Sequence, residues 1–131
     1  MDYTWTPWRY AHLTAEPPSN GGCVFCGILN SEDDEANLVI YRGVKNFIIL
    51  NRYPYNSGHV MVLPHRHVAT LDALDDDAAV EMMQLTRQLE STIGRLYRND
   101  GVNIGMNVGK AAGAGVADHI HMHVVPRWIG D

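Results

Sequence analysis

The hydrophobic and polar positions divide the first half of the chain into three short strand-like runs. LVIYR (38–42), NFIIL (46–50) and HVMVLP (59–64) are rich in β-branched and apolar residues, and turn-forming residues separate them. Runs of this length and composition are typical of β-strands. Gly43 between the first two runs predicts a hairpin, and Pro64 ends the third strand because proline cannot donate to a strand ladder.

The second half of the chain contains the longest periodic run, which predicts a helix over residues 76–99. Its apolar residues recur at steps of three and four, which places on one helix face Met82, Leu85, Leu89, Ile93 and Leu96. Aspartates at 75–77 favour the start of this helix through capping and the helix dipole. Asn99-Asp100-Gly101 ends it.

The order of the elements predicts the fold class. VNIGMNVG (102–109) and HIHMHVV (119–125) predict the fourth and fifth strands, and HVATLDAL (67–74) predicts a short helix. Residues 1–37 contain prolines and glycines, so they predict an irregular N-terminal segment ahead of a domain at 38–131. This order indicates an α+β fold, with an antiparallel five-stranded sheet, one long helix and one short helix.

Length and charge then exclude several classes of protein. A chain of 131 residues fits one globular domain and can bury a core without disulfides. A net charge of −5 argues against a nucleic-acid polymer as partner but leaves room for a small anionic ligand. No apolar run approaches the roughly 20 residues that span a bilayer, and MDYTWTPWRY is not a secretory signal. We therefore expect a cytoplasmic protein with reduced cysteines and no membrane partner.

Three histidines alternate with apolar residues in the last predicted strand. Because side chains alternate across a strand, His119, His121 and His123 share one face. The strand spans roughly 13 Å from the first to the third, at about 3.3 Å per residue. That distance is too long for one metal ion with bonds of about 2 Å. The alternative is that one imidazole attacks a phosphate, since neutral imidazole is a good nucleophile near neutral pH.

Cys23 and Cys26 form a CxxC pair, which alone is a weak signal. A redox dithiol would need a thioredoxin-like βαβ context, which this pattern lacks. Apolar packing remains an alternative, because a free cysteine behaves as a small hydrophobic residue. A structural zinc site would need two further ligands.

HIHMHVV matches the His-φ-His-φ-His-φ-φ signature (φ is apolar) of the histidine-triad, or HIT, family. The block at 50–74 resembles the fragile histidine triad branch of that family, and the block at 101–128 resembles its bacterial branch. WTPWRYAHL followed by CVFC is similar to a bacterial subgroup that includes diadenosine tetraphosphate phosphorylases.

The resemblance implies a nucleotide hydrolase or nucleotidyl transferase that acts at an α-phosphate. His121 would attack phosphorus and form a nucleotidyl-histidine, and His123 would contact the phosphate and protonate the leaving oxygen. A backbone carbonyl would accept the Nδ1 hydrogen of the nucleophile and so aim Nε2 at phosphorus. The nucleotide-binding residues implied by the resemblance also include Asn51, His59, Asn107 and Gly115. Gly115 stands where many relatives carry Ser or Thr, so only its backbone N–H can meet the phosphate.

The resemblance also implies a ligand set for structural zinc. Relatives with this CxxC pair, and the related galactose-1-phosphate uridylyltransferases, bind zinc through residues that match Cys23, Cys26, His67 and His119. His65 is the alternative to His67. On this basis the first histidine of the triad faces zinc while the other two face phosphate.

The favoured substrates implied by the resemblance are dinucleoside polyphosphates such as diadenosine tetraphosphate. The alternatives are an adenosine phosphoramidate hydrolase of the Hint type, a nucleotide-binding protein with little turnover, and a pure metal-binding module. HIT relatives are mostly homodimers, and Val80 and Met83, which lie off the main apolar face of the long helix, are compatible with that.

Overall fold

Five strands form one antiparallel sheet in the computed structural model, which describes residues 22–51, 57–115 and 118–131. The strands are β1 (Val39–Arg42), β2 (Asn46–Leu50), β3 (Val60–Pro64), β4 (Gly101–Met106) and β5 (Met122–Arg127). Their order across the sheet is β1-β2-β3-β5-β4, with every neighbouring pair antiparallel. The predicted five-stranded antiparallel sheet is therefore confirmed, and the histidine-bearing strand lies inside it.

The two faces of the sheet bury different sets of side chains. Helix α2 (Asp76–Tyr97) covers one face, where its apolar residues pack on strand residues that include Ile48, Val62 and Val124. On the opposite face Phe47, Ile49, Met61 and Leu63 pack against Phe25 of the short helix α1 (Val24–Asn30). His123 pairs with Met61 across the β3–β5 ladder, so it lies on the α1 face.

The short helix lies at a different place from the one that the sequence indicates. Residues 67–74 form turns rather than a helix, while Val24–Asn30, within the predicted irregular segment, is helical. Tertiary contacts explain both outcomes, since Phe25 of the helical segment is buried against the sheet. Val68 and Leu74 are buried in the α2-side core, and the Val68 carbonyl accepts the backbone N–H of Ile120 at 2.9 Å. WTPWRYAHL lies outside the described residues, and the boundary between 1–37 and 38–131 stays a prediction.

Three elements, helix α2 and strands β4 and β5, have bounds that differ from the predicted ones by two residues or more. Helix α2 ends at Tyr97 because Arg98 takes a left-handed conformation with φ of 49°. β4 ends at Met106 rather than at residue 109. β5 begins only at Met122 and continues through Pro126. Proline is tolerated there because β5 pairs with β3 only from Met122 to Val124, so Pro126 has its ladder partner, Val102, on one side.

Two further observations concern the exposed side of helix α2 and the apolar length of the helices. Val80 and Met83 on helix α2 are 57% and 52% exposed, so an apolar strip of this helix faces outward. Within the part of the chain that the structure describes, no helix is long and apolar enough to cross a bilayer.

Glu81 ties helix α2 to the β1–β2 hairpin, and its replacement should lower stability. Its carboxylate accepts the backbone N–H groups of Val44 and Lys45 and the side-chain N–H of the fully buried Asn46, at 2.9–3.0 Å. Glu81→Ala leaves these donors without their acceptor and should lower the free energy of unfolding by about 2–3 kcal/mol. Urea denaturation measures this change, with Glu90→Ala on an exposed turn of the same helix as the control. Equal, small effects of the two variants would contradict the role of Glu81.

The same carboxylate should make stability depend on pH. Burial pushes the pKa of Glu81 up, but the hydrogen bonds from Asn46, Lys45 and Val44 outweigh burial and hold that pKa below its usual range. A carboxyl whose pKa is lower when folded contributes stability above its unfolded pKa and loses it as pH falls through the folded pKa. The difference in stability between the native protein and Glu81→Ala should therefore shrink in acid.

Candidate functional site

Four histidines are buried together on the α1 face of the sheet. His59 and His119 are about as buried as any side chain in the protein, and His121 and His123 expose less than a tenth of their surface. Only His123 belongs to a strand, because β5 begins at Met122. His119 and His121 lie in the chain just ahead of it, where Ile120 turns to the α2-side core. The alternation that the sequence predicts therefore extends beyond the strand itself.

The ring of His121 is oriented by a backbone carbonyl. Its Nδ1 lies 2.9 Å from the carbonyl oxygen of His119. A carbonyl oxygen only accepts hydrogen bonds, so Nδ1 carries the hydrogen and Nε2 carries the lone pair of the neutral ring. The ring packs against Phe25, with centroids 5.1 Å apart, and meets the His123 ring edge-on at 4.8 Å.

His59 and His123 share a short hydrogen bond. Nε2 of His59 lies 2.8 Å from Nδ1 of His123, and both rings are buried. Asn51 also lies against His59, with its amide nitrogen 3.3 Å from Nδ1 and 3.4 Å from Nε2 of that ring. The backbone N–H of Asn51 also donates to the carbonyl of His59 at 3.0 Å. These three residues therefore form one connected polar group.

A second group of side chains could hold a metal ion. The ligand atoms of Cys23, Cys26, His67 and His119 all lie within 4.8 Å of one another. The three sulfur-to-nitrogen distances that involve Nδ1 of His67 or His119 are 3.4–3.6 Å. A tetrahedral zinc ion with usual bond lengths separates a sulfur and a nitrogen ligand by about 3.6 Å. The donor set and its spacing thus fit a tetrahedral divalent ion.

His119 is prepared to act as a ligand through Nδ1. Its Nε2 lies 2.9 Å from the carbonyl oxygen of Pro64, which places the ring hydrogen on Nε2 and the lone pair on Nδ1. Burial lowers the pKa of His119, and the nearby His67 and His121 lower it further, although the Pro64 carbonyl acts in the opposite direction. The ring is therefore held in the neutral form that binds metal.

The pKa of the Cys26 thiol is shifted upward, in the opposite direction to that of His119. Burial raises its pKa, and the neighbouring Cys23 thiol raises it further. Cys26 therefore favours the protonated thiol unless a cation is beside it, since a coordinated thiol loses its proton.

The remaining predicted site residues occupy separate places. His65 packs its half-buried ring near Phe47, with centroids 6.0 Å apart, and the four-residue cluster contains His67 instead. Asn107 is half-buried just past β4, and Gly115 is exposed in the loop that leads toward the histidines. The nucleotide-binding roles of Asn107 and Gly115 stay predictions.

Two residues that support the site carry no signal in the sequence. Phe25 lies between the two cysteines and packs against the rings of both His119 and His121. Arg42 on β1 donates to the carbonyls of Leu29 and Ser31 at the C-terminal end of α1, at 2.8 and 3.0 Å. Neither residue type nor spacing distinguishes them from ordinary core and surface residues, because their roles depend on contacts made across the fold.

Comparisons with known proteins identify a family model and several similar chains. The family model described as the HIT domain matches residues 32–128. The chain is similar to a Mycobacterium tuberculosis protein named AP-4-A phosphorylase, at 40% identity over 97% of this chain and 68% of that protein. It is also similar to an adenosine 5'-monophosphoramidase of Candida albicans, at 28% identity over 83% of this chain and 72% of that protein. A crystal structure of a Zn-bound histidine triad family protein from Mycobacterium smegmatis resembles it with a TM-score of 0.73 and 33% identity, covering 84% of this chain and 78% of that one.

The geometry of the cysteine–histidine cluster predicts which histidine binds metal. Cobalt(II), a tetrahedral probe with a thiolate absorption band, should bind the native protein at one ion per chain. His67→Ala should weaken this binding by at least about 100-fold, since loss of even an outer-shell partner costs about 10- to 100-fold. The matched control is His65→Ala, which should bind as the native protein does. Loss of the absorption band in His65→Ala, with retention in His67→Ala, would show that His65 is the ligand and that the choice of His67 is wrong.

Proposed function

The chain belongs to the HIT family, and we propose that it cleaves adenine nucleotides at the α-phosphate through a covalent nucleotidyl-histidine on His121. The observation that carries this proposal is the 2.9 Å hydrogen bond from Nδ1 of His121 to the carbonyl of His119. It leaves on Nε2 the lone pair that attack on phosphorus requires. The resemblance of the chain to relatives with named activities on AP-4-A and on adenosine 5'-monophosphoramidate supports an enzyme of this class.

The proposed reaction has two steps. Nε2 of His121 forms a bond to the α-phosphorus, while the bond from phosphorus to the leaving oxygen breaks and that oxygen takes a proton from His123. Water or inorganic phosphate then attacks the nucleotidyl-histidine, passes its proton back to His123 and restores the free imidazole of His121. Water releases AMP, and inorganic phosphate releases ADP.

Other residues of the proposed site bind the nucleotide. Asn51 and His59 lie beside His123 and form the polar group that faces the ribose and phosphate. Asn107 supplies an amide for the α-phosphate. Gly115 has no side chain, so it offers the phosphate only its backbone N–H. A phosphate oxygen can approach that N–H closely.

We further propose that the cysteine–histidine cluster binds zinc with a structural role. The ligands are Cys23, Cys26, His67 and His119, and the spacing of their sulfur and nitrogen atoms supports this choice. The likeness to a Zn-bound protein from Mycobacterium smegmatis supports it as well. A bound zinc ion supplies a crosslink between α1, the turn after β3 and the chain ahead of β5. His119 then holds its own carbonyl in place for the ring of His121.

Diadenosine tetraphosphate is the proposed substrate, because the chain is similar to a protein named AP-4-A phosphorylase over 97% of its length. A Hint-like adenosine phosphoramidate hydrolase is the second candidate, supported by the likeness to the Candida albicans enzyme. A nucleotide-binding protein with little turnover is the third, and the orientation of His121 argues against it.

A cytoplasmic location and a homodimer complete the proposal, and the exposed Val80 and Met83 support the dimer.

Product analysis with diadenosine tetraphosphate tests the proposed reaction. The native protein should release ATP together with ADP when inorganic phosphate is the acceptor, or ATP together with AMP when water is the acceptor. His121→Ala should lose turnover by about 10³-fold or more, because it lacks the attacking nitrogen, and should form no covalent nucleotidyl-protein by mass spectrometry. It should still bind AMP. His65→Ala is the matched control and should turn over normally; native-like turnover by His121→Ala would rule out the nucleophile.

A further inference from the structure

We propose that Cys23 and Cys26 are an oxidative modification site, in which the two thiols close into a disulfide that excludes a bound metal ion. The reduced protein then holds one ion in the cysteine–histidine cluster, and the oxidised protein releases it. This inference rests on the proposed metal site, because an ion must be bound before it can be released. It differs from thioredoxin-type exchange, since the pair responds to a small oxidant and passes no electrons to another protein.

The start of helix α1 places the two cysteines where they can bond to each other. Cys23 directly precedes the first helical residue, and its carbonyl accepts the backbone N–H of Gly27 at 3.0 Å, which closes the first turn. Residues three apart across one helical turn have Cα atoms about 5–6 Å apart, inside the range of about 4.4–6.8 Å that disulfides span. The two sulfur atoms lie within 4.8 Å of each other. Rotation of the side chains is therefore enough to form the bond, without movement of the backbone.

The composition of the chain makes this oxidation an all-or-none event for the metal site. The sequence contains two cysteines, so a disulfide within the chain must join Cys23 to Cys26. That bond removes both sulfur ligands at once and leaves the ring nitrogens of His67 and His119. A structural zinc site uses four ligands, and loss of both thiolates takes away its softest and negatively charged ones. The oxidised cluster should therefore release the ion.

Hydrogen peroxide is a sufficient oxidant for the step. One cysteine thiolate attacks a peroxide oxygen, the O–O bond breaks, and a sulfenic acid forms together with hydroxide. The thiolate of the second cysteine then attacks the sulfenic sulfur and displaces a second hydroxide as the S–S bond forms. Two protons from solvent convert the two hydroxides into water. The two sulfurs together lose the two electrons that the peroxide gains, and the metal leaves as the unchanged divalent cation.

The cluster is open enough for a small oxidant to reach the sulfur atoms. Both cysteines are half-buried, and the neighbouring His67 is exposed. Nδ1 of His67 lies 3.4 Å from the sulfur of Cys26, so this thiol lies at the exposed side of the cluster. His119, at the opposite side, is fully buried. Peroxide can therefore approach the sulfur atoms from the side of His67.

Contacts that do not involve sulfur keep the ligand residues together after oxidation. Phe25 of α1 is buried against the sheet, and Arg42 donates to carbonyls at the other end of the helix at 2.8 and 3.0 Å. The ring of His119 is bonded to the carbonyl of Pro64 at 2.9 Å, which does not depend on the cysteines. Reduction therefore restores a cluster that can bind the ion again. Transient disulfides of this kind are the usual redox-sensing form in reducing compartments.

Peroxide treatment of the zinc-loaded native protein tests the proposal. Free thiols, released zinc and the mass of the intact chain are followed together, with a chromophoric chelator to detect zinc. One ion should appear for every two thiols lost, and each chain should lose two hydrogen atoms and gain no oxygen. A phosphine reductant should restore both the thiols and zinc binding. Retention of zinc after both thiols have reacted, or a disulfide that links two chains instead, would overturn the proposal.

Competition with zinc gives a second measurement, which needs no substitution. Excess zinc should slow disulfide formation in the native protein by at least about 10-fold, because coordination occupies the sulfur lone pairs that attack the oxidant. A rate that is independent of zinc would contradict the exclusion. At one zinc concentration, His67→Ala should oxidise faster than the native protein because its metal site is weakened. His65→Ala is the matched control outside the cluster and should oxidise at the native rate.

Cys26→His separates the modification from metal binding. An imidazole can replace a thiolate as a zinc ligand, so this variant should keep zinc, but it has no partner for the disulfide. Peroxide should release its zinc at least about 10-fold more slowly than that of the native protein. Release at the native rate would show that loss of the ion does not need the disulfide.

The starting material distinguishes the two ways in which these experiments can fail. If the reduced native protein binds neither zinc nor cobalt, the proposed metal site is wrong. If it binds one ion and keeps that ion after Cys23 and Cys26 are oxidised, the metal site stands and the proposed exclusion is wrong.

Discussion

The hydrogen bond from Nδ1 of His121 to the carbonyl of His119 is the contact on which the site depends. Its net free energy is on the order of 1 kcal/mol, but it decides which nitrogen of the ring bears the lone pair. The carbonyl belongs to a residue whose own ring lies among the ligand atoms of Cys23, Cys26 and His67. Fixing the His119 ring among these ligand atoms therefore also restrains the backbone oxygen that orients His121. The metal cluster and the proposed reaction centre share a backbone, although they share no side chain.

Helix α1 depends for its stability on contacts with the rest of the fold. A helix of seven residues is unstable in isolation, since about 12–15 residues are needed even for good helix formers in water. Contacts at both ends compensate. Cys23 and Cys26 lie in the cluster near its N-terminal end, Phe25 is buried against two histidines, and Arg42 satisfies carbonyls at its C-terminal end. The helix is thus stable only as part of the site that it covers.

The sequence predicted the elements in which apolar residues recur at regular steps or cluster in short runs. The sheet follows from short β-rich runs and, in its last two strands, from alternation, while the helix over Asp76–Tyr97 follows from steps of three to four residues; both are present. Pattern failed for 67–74 and for Val24–Asn30, because burial of distant residues decides their conformation. Likewise, His65 and His67 are equivalent by spacing, and only the turn after β3 brings the ring of His67 to the cysteines.

The sheet divides the buried core into two parts, and the part under helix α2 can be changed separately from the part that holds the histidines. Side chains such as Val62, Met82 and Leu85 contact helix α2 on one face, while every buried histidine of the site lies toward the other. Repacking the α2 side can raise thermal tolerance without reshaping the reactive groups, which avoids the usual exchange of activity for stability.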